Sequence, residues 1–90
     1  MTKTYDFISD PGHGWLKVPL FDLAESGATN QISQFSYLTK EHAYLEEDCD
    51  AGAFIEAQKK RGIKIAFNEK DIPDFRLLSR QLGMKRFPGN

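Results

Sequence analysis

Apolar and polar residues alternate in several short runs of the chain, a pattern typical of half-buried β-strands. The first two runs are Tyr5-Asp6-Phe7-Ile8 and Trp15-Leu16-Lys17-Val18. The segment between them, Ser9 to Gly14, contains one proline and two glycines, which favour a tight turn. The sequence therefore predicts two antiparallel strands joined as a hairpin.

Two further runs predict a second hairpin. Gln31 to Leu38 has the pattern of an extended segment, and Ala43 to Glu46 returns as a strand after a polar turn. A fifth strand is predicted from Ile63 to Phe67, because large apolar residues alternate there with small or charged ones. The polar residues from Asn68 to Asp71 are expected to be a connection.

Two segments between these strands carry signals of helix ends. The first helix is predicted from Pro19 to Ser26 and ends before Gly27, which suits the left-handed position that stops a helix. The second is predicted from Ala51 to Arg61, with Asp48 or Asp50 as its N-cap. Acidic residues before this helix and basic residues in its last turn both complement the helix dipole.

A third helix is predicted near the end of the chain. Phe75, Leu78 and Leu82 recur at helical spacing, and Asp71 is the predicted N-cap. Residues 84–90 are expected to form a frayed basic tail after a single domain of residues 1–83.

The order of elements is therefore β-β-α-β-β-α-β-α, and it predicts an α+β fold. We expect a mostly antiparallel sheet of about five strands with two to three helices on one face. Composition agrees with one small folded domain, since 40% of the 90 residues are hydrophobic and 28% are charged. The pattern does not fix the order of the strands.

Net charge and cysteine content limit the cellular location and the classes of partner that we expect. The net charge is -1, so the chain as a whole lacks the basic excess of a nucleic-acid-binding or membrane-surface domain. Cys49 is the single cysteine, which excludes an internal disulfide, and the N-terminus lacks the apolar run of a signal peptide. We therefore expect a cytoplasmic protein that does not bind a membrane.

The glycine-containing loop is the first place where catalytic chemistry is conceivable. His13 lies near Asp10 and Trp15, and an imidazole beside a carboxylate serves as a general base in many enzymes. The chain has no nucleophile elbow, phosphate-binding loop or zinc-like spacing of Cys and His, so no catalytic residue, metal or cofactor is predicted. Gly12 and Gly14 are expected to provide a positive φ or a close backbone approach.

Two local charge clusters are candidate contact surfaces. The acidic cluster has no base among its residues, which are Glu46, Glu47, Asp48 and Asp50. Bases outnumber acids nine to three from Lys59 onwards, and the candidate basic patch comprises Arg76, Arg80, Lys85 and Arg86. Each cluster also has a plain structural interpretation, as a capped helix start or as a solvated helix face. The acidic cluster is the favoured contact surface, because no nearby base neutralises it.

Aromatic residues add a third candidate surface. They make up 12% of the chain, and most alternate on predicted strands. Trp and Tyr are enriched at binding hot spots, so Trp15 and Tyr44 are candidate contact residues together with His13.

The chain contains two distinctive segments. They are Ser9-Asp10-Pro11-Gly12-His13-Gly14-Trp15-Leu16-Lys17-Val18-Pro19 and Tyr44-Leu45-Glu46-Glu47-Asp48-Cys49-Asp50-Ala51. In them the chain resembles a group of small uncharacterised proteins from phages, plasmids and bacterial genomes. The resemblance implies a bacterial or phage cytoplasmic setting but no activity, cofactor or catalytic residue. Small proteins of such elements often inhibit host complexes stoichiometrically, as anti-CRISPR and anti-restriction proteins do.

Three functional hypotheses follow. The first is a non-enzymatic inhibitor that occupies a surface of a larger protein or ribonucleoprotein complex. The second is a small hydrolase-like enzyme that uses His13 and Asp10. The third is a nucleic-acid-binding protein that uses the C-terminal bases.

Overall fold

The computed structural model describes residues 1–89 and shows one six-stranded sheet. Its strands are β1 (Thr2–Ser9), β2 (Gly14–Pro19), β3 (Tyr37–Leu38), β4 (His42–Glu46), β5 (Lys64–Asp71) and β6 (Lys85–Arg86). They lie in the order β5-β1-β2-β4-β3-β6. Neighbouring strands are antiparallel except β1 and β5, which are parallel.

Three α-helices accompany the sheet, and they confirm the predicted α+β class. They are α1 (Leu20–Ser26), α2 (Gly52–Lys60) and α3 (Phe75–Gln81). A short 3₁₀ turn spans Thr29–Gln31, and a π-helical turn, Glu47–Ala51, leads directly into α2. None of the helices within residues 1–89 has both the length and the apolar character that crossing a bilayer requires.

The main core lies on the face of the sheet covered by α1 and α2. Leu16 and Leu45 point into it from β2 and β4, and both are fully buried. Leu23 of α1 and Phe54 of α2 pack onto these strands and are buried to the same extent. Tyr5 adds an edge-to-face contact with Phe54, with the ring centroids 5.4 Å apart.

The opposite face carries a second, smaller core beneath α3. Trp15 stacks on Phe75 of α3 with ring centroids 3.7 Å apart, and Ile8 and Tyr44 complete the cluster. The prediction that the helices share one face was therefore wrong. The physical reason is visible in β2, where Trp15 and Leu16 are adjacent and both buried, as happens only when a sheet is covered on both sides.

The C-terminal segment was predicted as a frayed tail, and that prediction was wrong for the described residues. β6 pairs with β3, and Phe87 is buried in the main core. The Phe87 amide donates a hydrogen bond to the carbonyl oxygen of Ser36 at 2.8 Å. Two strand residues and one aromatic anchor are too short a pattern for periodicity to reveal.

Two other predicted boundaries also differ from the structure. The predicted strand from Gln31 to Leu38 is reduced to its last two residues, because a buried hydrogen-bond network holds the preceding segment in turns. β5 continues to Asp71 where a polar connection was expected. Its polar residues are compatible with a strand because it lies at the edge of the sheet and is largely exposed there.

Asp50 is the centre of that buried network. Its side chain is 1% exposed and accepts hydrogen bonds from the amide and the hydroxyl of Ser33 and from the hydroxyl of Ser36. The Ser36 hydroxyl in turn accepts a hydrogen bond from the Glu46 amide at 2.9 Å. A buried carboxylate is tolerated only when its acceptors are satisfied, and these donors satisfy it.

The predicted N-caps were wrong at both sites. Glu46 caps the π-helical turn by accepting hydrogen bonds from the amides of Asp48 and Cys49, whereas Asp50 faces the core. Asp74 caps α3 by accepting from the Arg76 amide, and Asp71 belongs to β5. Several carboxylates stand near each helix start, so spacing alone does not select the one that caps.

We predict that Asp50→Ala lowers the free energy of unfolding by about 3 kcal/mol or more, because it leaves the donors of Ser33 and of the buried Ser36 without an acceptor. Urea denaturation followed by tryptophan fluorescence measures the change. The matched control is Asp48→Ala, since Asp48 is exposed. Equal stability of the two variants would contradict the role given to Asp50.

A second prediction concerns the two glycines of the hairpin. A Cβ at Gly14 would lie 2.5 Å from Cζ of Phe7, whereas a Cβ at Gly12 would meet only Asp10 Oδ1 at an ordinary 3.7 Å. Gly12 also lacks a positive φ, so the expectation for that position was wrong. Gly14→Ala should lower the unfolding free energy by about 1–2 kcal/mol, and Gly12→Ala should leave thermal denaturation nearly unchanged.

Candidate protein-binding groove

A cavity of about 780 Å³ opens on the sheet face that carries α3. We call it the groove. Its walls come from the β1–β2 loop, the segment around β3, the β4–α2 junction and the first residues of α3. It therefore gathers residues that are far apart in the sequence, among them His13, Asp48 and Arg86.

Aromatic rings form the floor of the groove. Trp15, Tyr37 and Phe75 line it, and Tyr37 lies 5.6 Å from Phe75 between ring centroids. Phe35 also lines the groove and is 55% exposed, so its ring stands at the rim. Trp15 is 7% exposed, and its Nε1 donor has no hydrogen-bond acceptor within residues 1–89.

Asp10 ties the β1–β2 loop to α3. Its Oδ1 accepts hydrogen bonds from the amides of Gly12 and His13, and its Oδ2 accepts one from the amide of Phe75 at 2.9 Å. These hydrogen bonds, led by the one from Phe75, lower the pKa of the Asp10 carboxyl. The side chain thus fixes one wall of the groove as an ionised, internally bonded carboxylate.

His13 lies at the mouth of the groove without the partner that catalysis requires. Its imidazole is exposed, with its centroid 5.7 Å from the Trp15 ring. Asp10 bonds to the His13 amide, and its two oxygens are occupied by main-chain donors. The described residues therefore contain no oriented carboxylate–imidazole pair at this loop.

The acidic cluster is divided among three environments. Glu46 and Asp48 line the groove, Asp50 is buried in its serine network, and Glu47 lies beside Gly14 on the other side of the sheet. Glu46 is 8% exposed and is occupied by capping. Asp48 is therefore the acid of this cluster that offers an exposed carboxylate to the groove.

Cys49 also lines the groove, and its thiol is exposed. A hydrogen bond to the Glu46 carboxylate and the negative charges of Glu46, Asp50 and Asp48 raise the pKa of this thiol. The thiolate is the reactive form of cysteine, and nearby negative charge disfavours it. The thiol is accordingly a poor nucleophile at neutral pH.

The basic patch is also divided. Arg76 and Arg86 line the groove, whereas Arg80 and Lys85 are exposed but take no part in it. The guanidinium of Arg86 lies 4.6 Å from the centroid of the Tyr37 ring, within the range of a cation–π contact.

The structure changes the assignment of four residues. Tyr44, a candidate contact residue, is 2% exposed and packs under Phe75, so its ring offers no surface to a partner. Phe35, Tyr37 and Asp74 were not predicted as site residues, although each lines the groove. Aromatic residues flanking a charged loop were the available signal, but β3 and α3 approach each other only in the folded protein.

Comparison with family models, with curated proteins and with solved structures finds no match to this chain.

The hydrogen bonds that Asp10 accepts from the β1–β2 loop and from α3 predict a pH-dependent contribution to stability. Because folding lowers the pKa of Asp10, its contribution to stability is present at neutral pH and is lost as the pH falls through the folded-state pKa. Asp10→Asn should lower the unfolding free energy at pH 7 by about 1 kcal/mol, the usual value of a lost capping bond. Urea denaturation across a pH series should show the difference shrinking in acid; a constant difference contradicts the assignment.

Proposed function

We propose that this protein is a non-enzymatic binding module that docks through the groove onto one larger protein or ribonucleoprotein complex. The setting is the bacterial cytoplasm, and the effect is stoichiometric inhibition of a host defence complex, of the anti-CRISPR or anti-restriction kind. The proposed bacterial setting rests on the resemblance to proteins of phages and plasmids. The proposed mode of binding rests on the geometry of the groove.

The observation that carries the proposal is the exposed ring of Phe35 at the rim of a rigid aromatic floor. Trp15 and Phe75 are stacked with an interplanar angle of 11°, and both are more than nine-tenths buried, so they hold the floor in place and offer little surface themselves. An aromatic contact residue on an ordered base binds with little further loss of conformational entropy, and aromatic residues dominate the energetics of many interfaces. Phe35 at the rim offers an exposed ring that a partner can cover.

The charged residues around the floor support binding more than catalysis. Asp10, Glu46 and Asp74 each accept hydrogen bonds from backbone amides, and these bonds hold the loop and helix starts in place. The Cys49 thiol is not activated, since its pKa is raised. These groups build a fixed surface, whereas general acid–base catalysis needs a group free to exchange a proton with a substrate.

The nucleic-acid hypothesis receives less support from the same geometry. Arg76 pairs with Asp74 at 3.4 Å, and Arg80 and Lys85 lie outside the groove. Non-specific nucleic-acid binding depends on several bases that follow the phosphate backbone together. The dispersed arrangement of these residues favours a protein partner.

The test compares two exposed phenylalanines. Phe35 lines the groove, and Phe21 is 72% exposed on α1, away from the groove. Tagged wild type, Phe35→Asp and Phe21→Asp are used to capture partners from host lysate, in parallel with and without nuclease treatment, with thermal denaturation as the control for folding. We expect Phe35→Asp to reduce recovery of the partner at least about tenfold, as removal of a hot spot does, and Phe21→Asp to retain it.

Mass photometry of the recovered complex measures the stoichiometry. A discrete ratio of this protein to one large complex supports stoichiometric inhibition. Full recovery of the same complex by folded Phe35→Asp would overturn the assignment of the groove as the docking site.

A further inference from the structure

The charges that line the groove do not cancel. Four carboxylates and two guanidinium groups line it, and they belong to Asp10, Glu46, Asp48, Asp74, Arg76 and Arg86. The formal charges of these six side chains leave an excess of two negative charges. The groove is thus locally more acidic than the protein as a whole, whose net charge is -1.

The two arginines of the groove are already engaged within the protein. The Nε atom of Arg76 lies 3.4 Å from Oδ1 of Asp74. Arg86 lies over the Tyr37 ring and donates to the carbonyl oxygen of Gln34 at 3.3 Å. The contact between Arg86 and Tyr37 shows that the aromatic lining of this groove accommodates a guanidinium group.

The acidic wall at the β4–α2 junction has no such internal partner. Asp48 and Glu46 form no ion pair within 4.0 Å to any residue of the described chain. A hydrogen bond to Glu46 and the negative charges of Glu46 and Asp48 help to raise the pKa of the neighbouring Cys49 thiol. Negative charge beside an aromatic ring favours a bound cation, and Phe35 is the exposed phenylalanine of the groove.

Trp15 contributes little of the surface that a partner can reach. Its side chain lines the groove but is more than nine-tenths buried, and its Nε1 atom is itself buried, without an acceptor within residues 1–89. The exposed ring of Phe35 is therefore the aromatic surface that a bound segment meets.

We propose that the groove binds a basic, extended peptide segment of the partner. An arginine or lysine side chain of this segment lies against the Asp48 carboxylate, beside the exposed ring of Phe35. The inference rests on the proposed function, since it names the partner chemistry of the same site. A phosphate-bearing ligand is disfavoured, because it would meet the excess negative charge.

The direct test uses a short fluorescein-labelled peptide rich in arginine and glycine. The control peptide carries citrulline at every arginine position, which preserves shape and removes charge. Fluorescence anisotropy at low salt, with NMR chemical shifts for weak binding, measures affinity for the full chain. We expect the arginine peptide to bind at least about tenfold more tightly than the citrulline peptide.

Two neighbouring acids provide a matched pair of variants. Asp48→Asn should weaken binding of the arginine peptide about fivefold to tenfold, because Asp48 lines the groove. Glu47→Gln removes the same charge one residue away, on the other side of the sheet, and should leave affinity within about twofold. Equal losses in the two variants would mean that only the net charge of the protein matters, which overturns the inference.

The outcomes separate this inference from the proposed function. Absence of arginine-peptide binding up to millimolar concentration, or equal binding of the citrulline peptide, overturns the basic-segment inference. In that case, loss of partner capture by Phe35→Asp still supports the groove as a docking site. Capture that is independent of Phe35 overturns the docking site itself, and with it the basis for the peptide.

Discussion

The buried carboxylate of Asp50 is the interaction on which the arrangement of this molecule depends. It holds the turns that contain Ser33 and Ser36 against the junction of β4 and α2. Ser36 connects this network to two further strands. Its hydroxyl accepts a hydrogen bond from the Glu46 amide of β4, and its carbonyl oxygen accepts one from the Phe87 amide, next to β6. One charged group in the interior thus fixes the position of the short strands β3 and β6, which have few ladder hydrogen bonds of their own.

The carboxylates of Asp50 and Asp10 hold the two sides of the groove in place. Asp50 positions the side formed by β3, β6 and the β4–α2 junction, which carries Phe35, Tyr37 and Arg86. Asp10 positions the opposite side by joining the hairpin loop to the first amide of α3. Between them the stacked rings of Trp15 and Phe75 have little freedom to move. A binding surface built this way is largely ordered before a partner arrives.

The sequence allowed the elements with strong local signals to be predicted. The first hairpin has a proline and glycines at its turn, and α1 ends at Gly27, which has a φ of 81°. The fold class followed from these elements. The buried role of Asp50 could not be predicted, because an acidic residue next to a helix start has the same pattern whether it caps the helix or faces the core.

The sequence also could not show which candidate contact residues lie together in the groove. His13, Trp15, Asp48 and Arg86 were all candidate contact residues, yet spacing placed them on separate surfaces. What unites them is the packing of α3 against the second sheet face and the pairing of β6 with β3. Such contacts depend on tertiary structure, and alternation along one segment contains no information about them.

The parallel pairing of β1 with β5 bears on how the chain reaches this structure. Its partners lie far apart in sequence, as the 62-residue separation of Ser9 and Asp71 shows. Closing so long a loop costs chain entropy before the stabilising contacts form, so proteins rich in such contacts fold slowly. The first hairpin forms locally, but the outer edge of β1 has to stay unpaired until β5 arrives. During that interval the backbone donors and acceptors along this edge of β1 are unpaired, and the charged residues of β5 protect the outer edge once the sheet is complete.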